Sequence, residues 1–189
     1  MSSNIEESLF ESTITNHTDE NNSFILSKNV YETIITGNKI SKVLKDLISR
    51  NKELKIYNQK VQEQSKMHFN AKKKPSITIL DYIQRIIEYT NIENSTLIIS
   101  LIYLDRICQN DVLITEYNIH RLLFICIITS IKYNEDIIYQ NNYYSQVVGV
   151  SIKEFNKIER EFLALIDYIL YISEKDYLKY KYYLEHYFI

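Results

Sequence analysis

The sequence predicts an all-α fold, and three features predict it. The 189 residues include only 2 Gly and 1 Pro, too few for the closely spaced turns of a sandwich or barrel, which call on positive or preset φ. Apolar residues recur at helical spacing in segment after segment, several of them opened by a helix-start signal. The stretch Leu122–Ile128 is apolar all round, the pattern of a helix buried at the centre of a bundle. At 46% hydrophobic and 24% charged residues, the composition is that of a globular chain. The lack of glycine also leaves no material for a Gly-rich phosphate loop.

The elements follow in order. Residues 1–37 are expected to form a flexible acidic tail, because up to Asn29 five acidic residues stand against one lysine and apolar residues are sparse. Two apolar patches interrupt it, Phe24–Leu26 and Val30–Ile35, and either could dock onto the domain. Residues 38–57 form an amphipathic helix, with Ile40, Val43, Leu44, Leu47 and Ile48 on one stripe. Residues 58–75 read as a polar linker ending in Lys72, Lys73, Lys74 and Pro75. Proline disfavours helix at the residue before it, so a new element starts near Ser76.

Residues 76–170 hold five helices joined by short connections. The first runs from Ser76 to Thr90 with Ile79, Ile83, Ile86 and Ile87 on one face. Asn94 or Ser95 opens the second, through Leu97, Leu101, Leu104 and Ile107. Thr115 opens the third, the apolar one, which reaches about Tyr133. The fourth spans Asn141 to Val148 and stops at Gly149, since glycine tolerates the left-handed turn that ends helices. Ser151 with Glu154 three residues on is a capping box for the fifth, which reaches about Tyr168. Residues 171–189 form a last helix, opened by Ser173 with Asp176.

The chemistry-bearing residues point away from catalysis. His17, His68, His120 and His186 have no Cys or carboxylate at ligand spacing, and no HExxH or GxSxG is present. No catalytic residue, metal or cofactor is expected. Glu135–Asp136 read as a solvated acidic turn and Lys72–Lys74 as a solvated run. Cys108 and Cys126 lack a CxxC partner; buried thiols fit a reducing compartment, the nucleus or cytoplasm. A net charge of −2 gives no electrostatic argument for nucleic acid or an anionic membrane. The longest apolar run is too short to span a bilayer, and no secretory signal is visible. The 17 tyrosines read first as compositional bias; those from Tyr177 to Tyr187 also fit a protein-binding surface.

One series of motifs carries more. It runs Tyr103-Leu104-Asp105-Arg106, then Asn118-Ile119-His120-Arg121-Leu122-Leu123, then Ser130-Ile131-Lys132-Tyr133-Asn134-Glu135-Asp136. Asn141, Tyr143-Tyr144, Val147 and Gly149-Val150 follow, and Phe155-Asn156-Lys157-Ile158-Glu159 leads to Phe162-Leu163. In this order and spacing the series resembles the cyclin box, in particular that of the P/U-type, phosphate-regulon-like cyclins. The resemblance covers about Pro75 to Leu184.

It implies a single cyclin box of five helices around a buried central helix, with flanking N- and C-terminal helices. It also implies a non-catalytic regulatory subunit that forms a heterodimer with a cyclin-dependent protein kinase, Pho85-like or related, and activates it by positioning its regulatory helix. Cell-cycle and phosphate or nutrient signalling are both open. The alternative is a cyclin-fold adaptor that binds a protein partner without activating a kinase. By the same resemblance Lys132 and Glu159 are kinase-binding residues, and Arg85 and Asp105 form a structural salt bridge within the box.

Three departures stand out. Val148 replaces the first glycine of a G-G pair. Thr129 and Ser130 replace two alanines, and their hydroxyls are expected to bond back to carbonyls four residues earlier in the helix. Pro75-Ser76-Ile77-Thr78-Ile79 stands where mitotic cyclins carry M-R-A-I-L, which speaks against that substrate-docking mode.

Overall fold

A computed structural model describes residues 20–187, with side chains from residue 29 onward. Its described residues form α1 (Glu20–Lys52), α2 (Tyr57–Gln64), α3 (Ile79–Thr90), α4 (Asn94–Gln109), α5 (Ile119–Asn134), α6 (Asn141–Val148), α7 (Ile152–Leu165) and α8 (Glu174–His186), with no strand among them. Three helices start on a side-chain oxygen: Thr78, Ser151 and Ser173 accept from the N–H groups of Asp81, Glu154 and Asp176. Each such cap satisfies a backbone donor that the first turn leaves unpaired. Gly149 ends α6 at φ 76°, and Asn91 ends α3 at φ 50°. Helices α3 to α7 therefore lie where the sequence places them, apart from a few residues at their ends.

α5 is the centre. Every position from Ile119 to Ile131 is buried except Arg121. Helix α4 packs along it, α3 and α7 cover further faces, and α6 bridges α3 and α7. Phe124 of α5 stacks on Phe155 of α7 with ring centroids 5.7 Å apart. Outside this shell, α1 crosses α3 and α4, and α8 lies on α4. Between α1, α4 and α8 an apolar cavity of about 380 Å³ remains, lined by Leu47, Leu104 and Tyr183 among others.

The N-terminal region differs from expectation. Residues 20–37 are not tail but the first half of the same helix that carries Ile40 to Ile48; residues 1–19 of the expected tail lie outside the described residues. Among the described side chains of this half, from residue 29 onward, the buried ones are Thr33, Thr36 and Gly37, small residues that leave no hydrophobic signature. Gly37 has a packing role: a Cβ there would sit 2.9 Å from Ile83 Cγ2 and 3.2 Å from Ile87 Cδ1. Its missing side chain lets α1 and α3 cross closely. The opposite face carries Val30, Tyr31, Ile34 and Ile35, all exposed.

The expected linker 58–75 is also built. It contains α2, and Phe69 plugs into the core at 1% exposure. Arg121 donates to the carbonyls of His68 and Asn70 at 2.8 and 3.0 Å, and Ala71 N–H donates to the Tyr117 carbonyl at 2.9 Å. Tyr57 and Lys52 both reach Glu116, at 2.7 and 2.9 Å. A polar composition hides this order because its interactions are polar.

Ser130 does not bond back along its own helix. Its hydroxyl donates to the Thr96 carbonyl at 2.8 Å, joining α5 to α4, while Thr129 Oγ1 has no partner. Tyrosines do comparable tethering work. Tyr82 donates to the Val148 carbonyl at 3.0 Å, Tyr103 to Leu170 at 2.8 Å and Tyr143 to Tyr89 at 2.6 Å. Each ring fills apolar space while its hydroxyl satisfies a carbonyl at a helix end or loop, a use that composition alone conceals.

Candidate functional site

The site lies where the C-terminus of α5, the start of α6 and the middle of α7 meet. Lys132 sits in the last turn of α5, where the helix dipole favours a cation. Its stem passes the Phe155 ring, with Nζ 5.6 Å from the centroid. The ammonium donates to Glu159 Oε1 at 2.5 Å and to Asn141 Oδ1. Asn141, the first residue of α6, donates to Glu159 Oε2 at 3.0 Å and to Asn156 Oδ1 at 2.9 Å. Asn156 and Glu159 stand three residues apart and so share one face of α7. Side-chain exposures of 25% for Lys132 and 18% for Glu159 leave the pair partly desolvated, which strengthens its attraction, yet open to a partner.

The surroundings are apolar and exposed. Tyr133 is 50% exposed, and in the loop from α5 to α6 Ile137 is 74% and Ile138 55% exposed. Tyr139 of this loop packs against Tyr143 at 4.4 Å, and its N–H donates to Tyr144 Oη at 3.0 Å. A second apolar projection, Tyr168, Ile169 and Tyr171, follows α7. Arg106 holds it, donating to the carbonyls of Ile169 at 2.5 Å and Tyr171 at 2.9 Å. Large apolar side chains kept in water on braced loops are what a partner surface needs.

The structure brings Lys132 and Glu159 together and separates the other expected pair. Among the described residues no ion pair joins Arg85 to Asp105. Arg85 lies with Asp81, Gln84 and Glu88 on the solvent stripe of α3, because Ile83, Ile86 and Ile87 turn inward. Asp105 faces α8 instead: its Oδ2 accepts from Tyr180 Oη at 2.7 Å and from Gln109 at 2.9 Å. Burial, then the hydrogen bond and charge of Asp105, push the Tyr180 hydroxyl above its ordinary value.

Glu135 is not a solvated turn residue either. Its Oε1 accepts the Glu93 N–H at 3.0 Å, capping α4 from the end of α5, since Glu93 itself makes no side-chain cap. Burial raises its carboxyl above the usual range. His120 opens α5 buried, with Nε2 3.0 Å from the Ile77 carbonyl and its ring edge-on to Tyr82. Burial pushes the Cys108 thiol up to about 11 and that of Cys126 well above its ordinary value. Neither is therefore a ready nucleophile. No group of His, Cys, Asp and Glu able to hold a metal occurs among the described residues, and no described helix is long and apolar enough to cross a membrane.

Comparison with known proteins decides the family. A sequence model described as Cyclin matches residues 38–170. The chain belongs to the cyclin family. Cyclin-U1-1 of Arabidopsis thaliana is 32% identical over 152 residues, which take in 77% of this chain and 70% of that protein. Cyclin-U4-3 of the same plant is 38% identical over 114 residues, 59% of this chain and 52% of the relative. PHO85 cyclin-like protein psl1 of Schizosaccharomyces pombe is 38% identical over 111 residues, 57% of this chain and 46% of that one. This cyclin is thus of P/U type, and the matched residues take in α3 to α7 together with α2 and the second half of α1. Cyclins are regulatory subunits, in general without catalysis of their own. The sequence reading missed Asn141 and Asn156 as site residues; the helical spacing of Asn156 and Glu159 was the available signal.

Proposed function

We propose that this cyclin binds a cyclin-dependent protein kinase, Pho85-like or related, as a heterodimer and activates it by holding its regulatory helix inward. The observation that carries the proposal is the Lys132–Glu159 pair, fixed on two rigid helices and bordered by exposed apolar residues. Opposite charges held in this way hydrogen-bond the carbonyls and amides of a partner segment and set its position. Tyr133, Ile137 and Ile138 supply apolar area around them. A kinase becomes competent when its regulatory helix brings a glutamate to the catalytic lysine, and a cyclin that binds only that arrangement shifts the kinase towards it. The name of the fission-yeast relative supports a kinase of the Pho85 class. Two free thiols and a partner of this class support a nuclear or cytoplasmic location.

The test is charge reversal at both positions, Lys132→Glu with Glu159→Lys. The variant is expected to keep its helical circular dichroism and to lose association with, and stimulation of, a purified Pho85-type kinase. Undiminished co-purification would remove this face from the interface.

A further inference from the structure

We propose that Asn141 is the positioning residue of this site, a single amide that orients Lys132 and Glu159 before any partner arrives. The proposal rests on the kinase-binding reading of that pair and adds how the pair is set. An ammonium and a carboxylate on long side chains do not hold one geometry by attraction alone; even a half-buried pair spends part of its attraction on lost rotamer freedom. Here the amide removes that freedom. Its Oδ1 accepts from Lys132 Nζ, and its Nδ2 donates to Glu159 Oε2 at 3.0 Å and to Asn156 Oδ1 at 2.9 Å.

Donor and acceptor of one rigid group thus address both members of the pair, and they come from a third helix. The orientation of the amide is unambiguous, because its oxygen faces a cation and its nitrogen faces two oxygens. Lys132 uses two of its three N–H donors, one on Asn141 and one on Glu159, which leaves one for a partner's acceptor. Glu159 has one oxygen on Lys132 and the other on Asn141, so its plane is fixed. The partner meets a pre-set donor and a pre-set carboxylate and does not have to order them, which is how preorganisation raises affinity.

The backbone supports this placement. Gln140, extended at ψ 155°, delivers Asn141 to the first position of α6, and Tyr144 of the same helix is fully buried. The amide is therefore carried by a packed element and not by a mobile loop.

Two nearly isosteric variants separate orientation from space-filling. Asn141→Leu removes all three hydrogen bonds; Asn141→Asp keeps the acceptor for Lys132 but sets a carboxylate against Glu159 and Asn156. In the free cyclin, NMR of the lysine ammonium groups reads the positioning directly. The Lys132 ammonium is expected to exchange slowly with water in the native chain and at least about tenfold faster in Asn141→Leu, as loss of a charged hydrogen bond implies. With a purified Pho85-type kinase, Asn141→Leu and Asn141→Asp are both expected to weaken binding by roughly tenfold. The losses from Asn141→Leu and Glu159→Gln are expected to be clearly less than additive, because the contact between the two side chains is lost in either variant.

An unchanged Lys132 signal in Asn141→Leu, or fully additive losses with Glu159→Gln, would overturn the positioning role. If Lys132 and Glu159 variants themselves leave kinase binding intact, the kinase-binding reading falls, and the ammonium exchange still decides whether Asn141 sets the pair.

Discussion

Gly37→Ala sets two known effects against each other on α1. Alanine at a helix-interior glycine is favoured by about 1 kcal/mol through backbone entropy, so propensity alone predicts a more stable protein. Packing predicts the reverse. The new Cβ would lie 2.9 Å from Ile83 Cγ2 and 3.2 Å from Ile87 Cδ1. The second atom ends a flexible chain and can move aside. The first is the branch methyl of a β-branched residue in a helix, held to one rotamer, on a side chain that is 0% exposed. Overpacking of this kind costs about 1–3 kcal/mol. The net expectation is a loss of about 1 kcal/mol, or roughly 2–4 °C in Tm for a chain of this size. Urea unfolding followed at 222 nm measures it. In an Ile83→Leu background, which moves the branch methyl out of the way, the same Gly37→Ala change should turn neutral or stabilising. A single Gly37→Ala variant that unfolds at higher urea than the native protein would refute the close α1–α3 crossing.

Two further outcomes follow from the surroundings of Arg85, Asp105 and His120. Arg85→Ala should leave stability within about 0.5 kcal/mol, because Arg85 lies on the solvent face, whereas Asp105→Ala should cost about 1 kcal/mol by releasing Tyr180 and loosening α8; urea midpoints of the two variants decide, and equal losses would restore a pairing between them. Burial holds the His120 imidazole below its ordinary value, with Lys74 adding to the effect and the Ile77 carbonyl opposing it. The unfolded chain therefore takes up the proton first as pH falls. The stability that His120 contributes is complete at neutral pH and declines as pH drops through about 6.5 towards the lowered folded value, by at most about 1.4 kcal/mol per pH unit. His120→Gln should show a smaller fall in urea midpoint between pH 7 and pH 5 than the native protein; an equal fall would place the acid sensitivity elsewhere.

Much of the fold was legible because it rests on local rules. Ser151 and Ser173 announce helix starts through a hydroxyl three residues ahead of an acceptor-seeking N–H, and Gly149 announces a stop through its freedom at positive φ. Leu122–Ile128 announces a central helix because only a helix covered on every side can be apolar all round. Lys132 and Glu159 were singled out by family resemblance, not by chemistry, since each alone is an ordinary surface residue. Asn141 was not legible, because its importance lies in facing two side chains from two other helices.

The misread regions share one cause. Thr33, Thr36 and Gly37 are buried for their small size, and Gln64, Asn70 and Arg121 order the segment before α3 by hydrogen bonds. Neither kind of contact produces apolar periodicity. Asp105 was paired with the wrong neighbour because periodicity states that a residue faces outward but not which element stands opposite.

The sequence by itself determined that the chain is helical, where most helices begin and end, which one is central and which family the series of motifs resembles. Only the tertiary structure decided that α1 extends back to Glu20, that Asp105 serves α8, and that Lys132, Asn141, Asn156 and Glu159 form one network. The physical reason is range. Capping, turn and amphipathic signals act within a few residues and are written in the local sequence, whereas the direction in which each helix turns its side chains onto the next is settled only when all of them pack together.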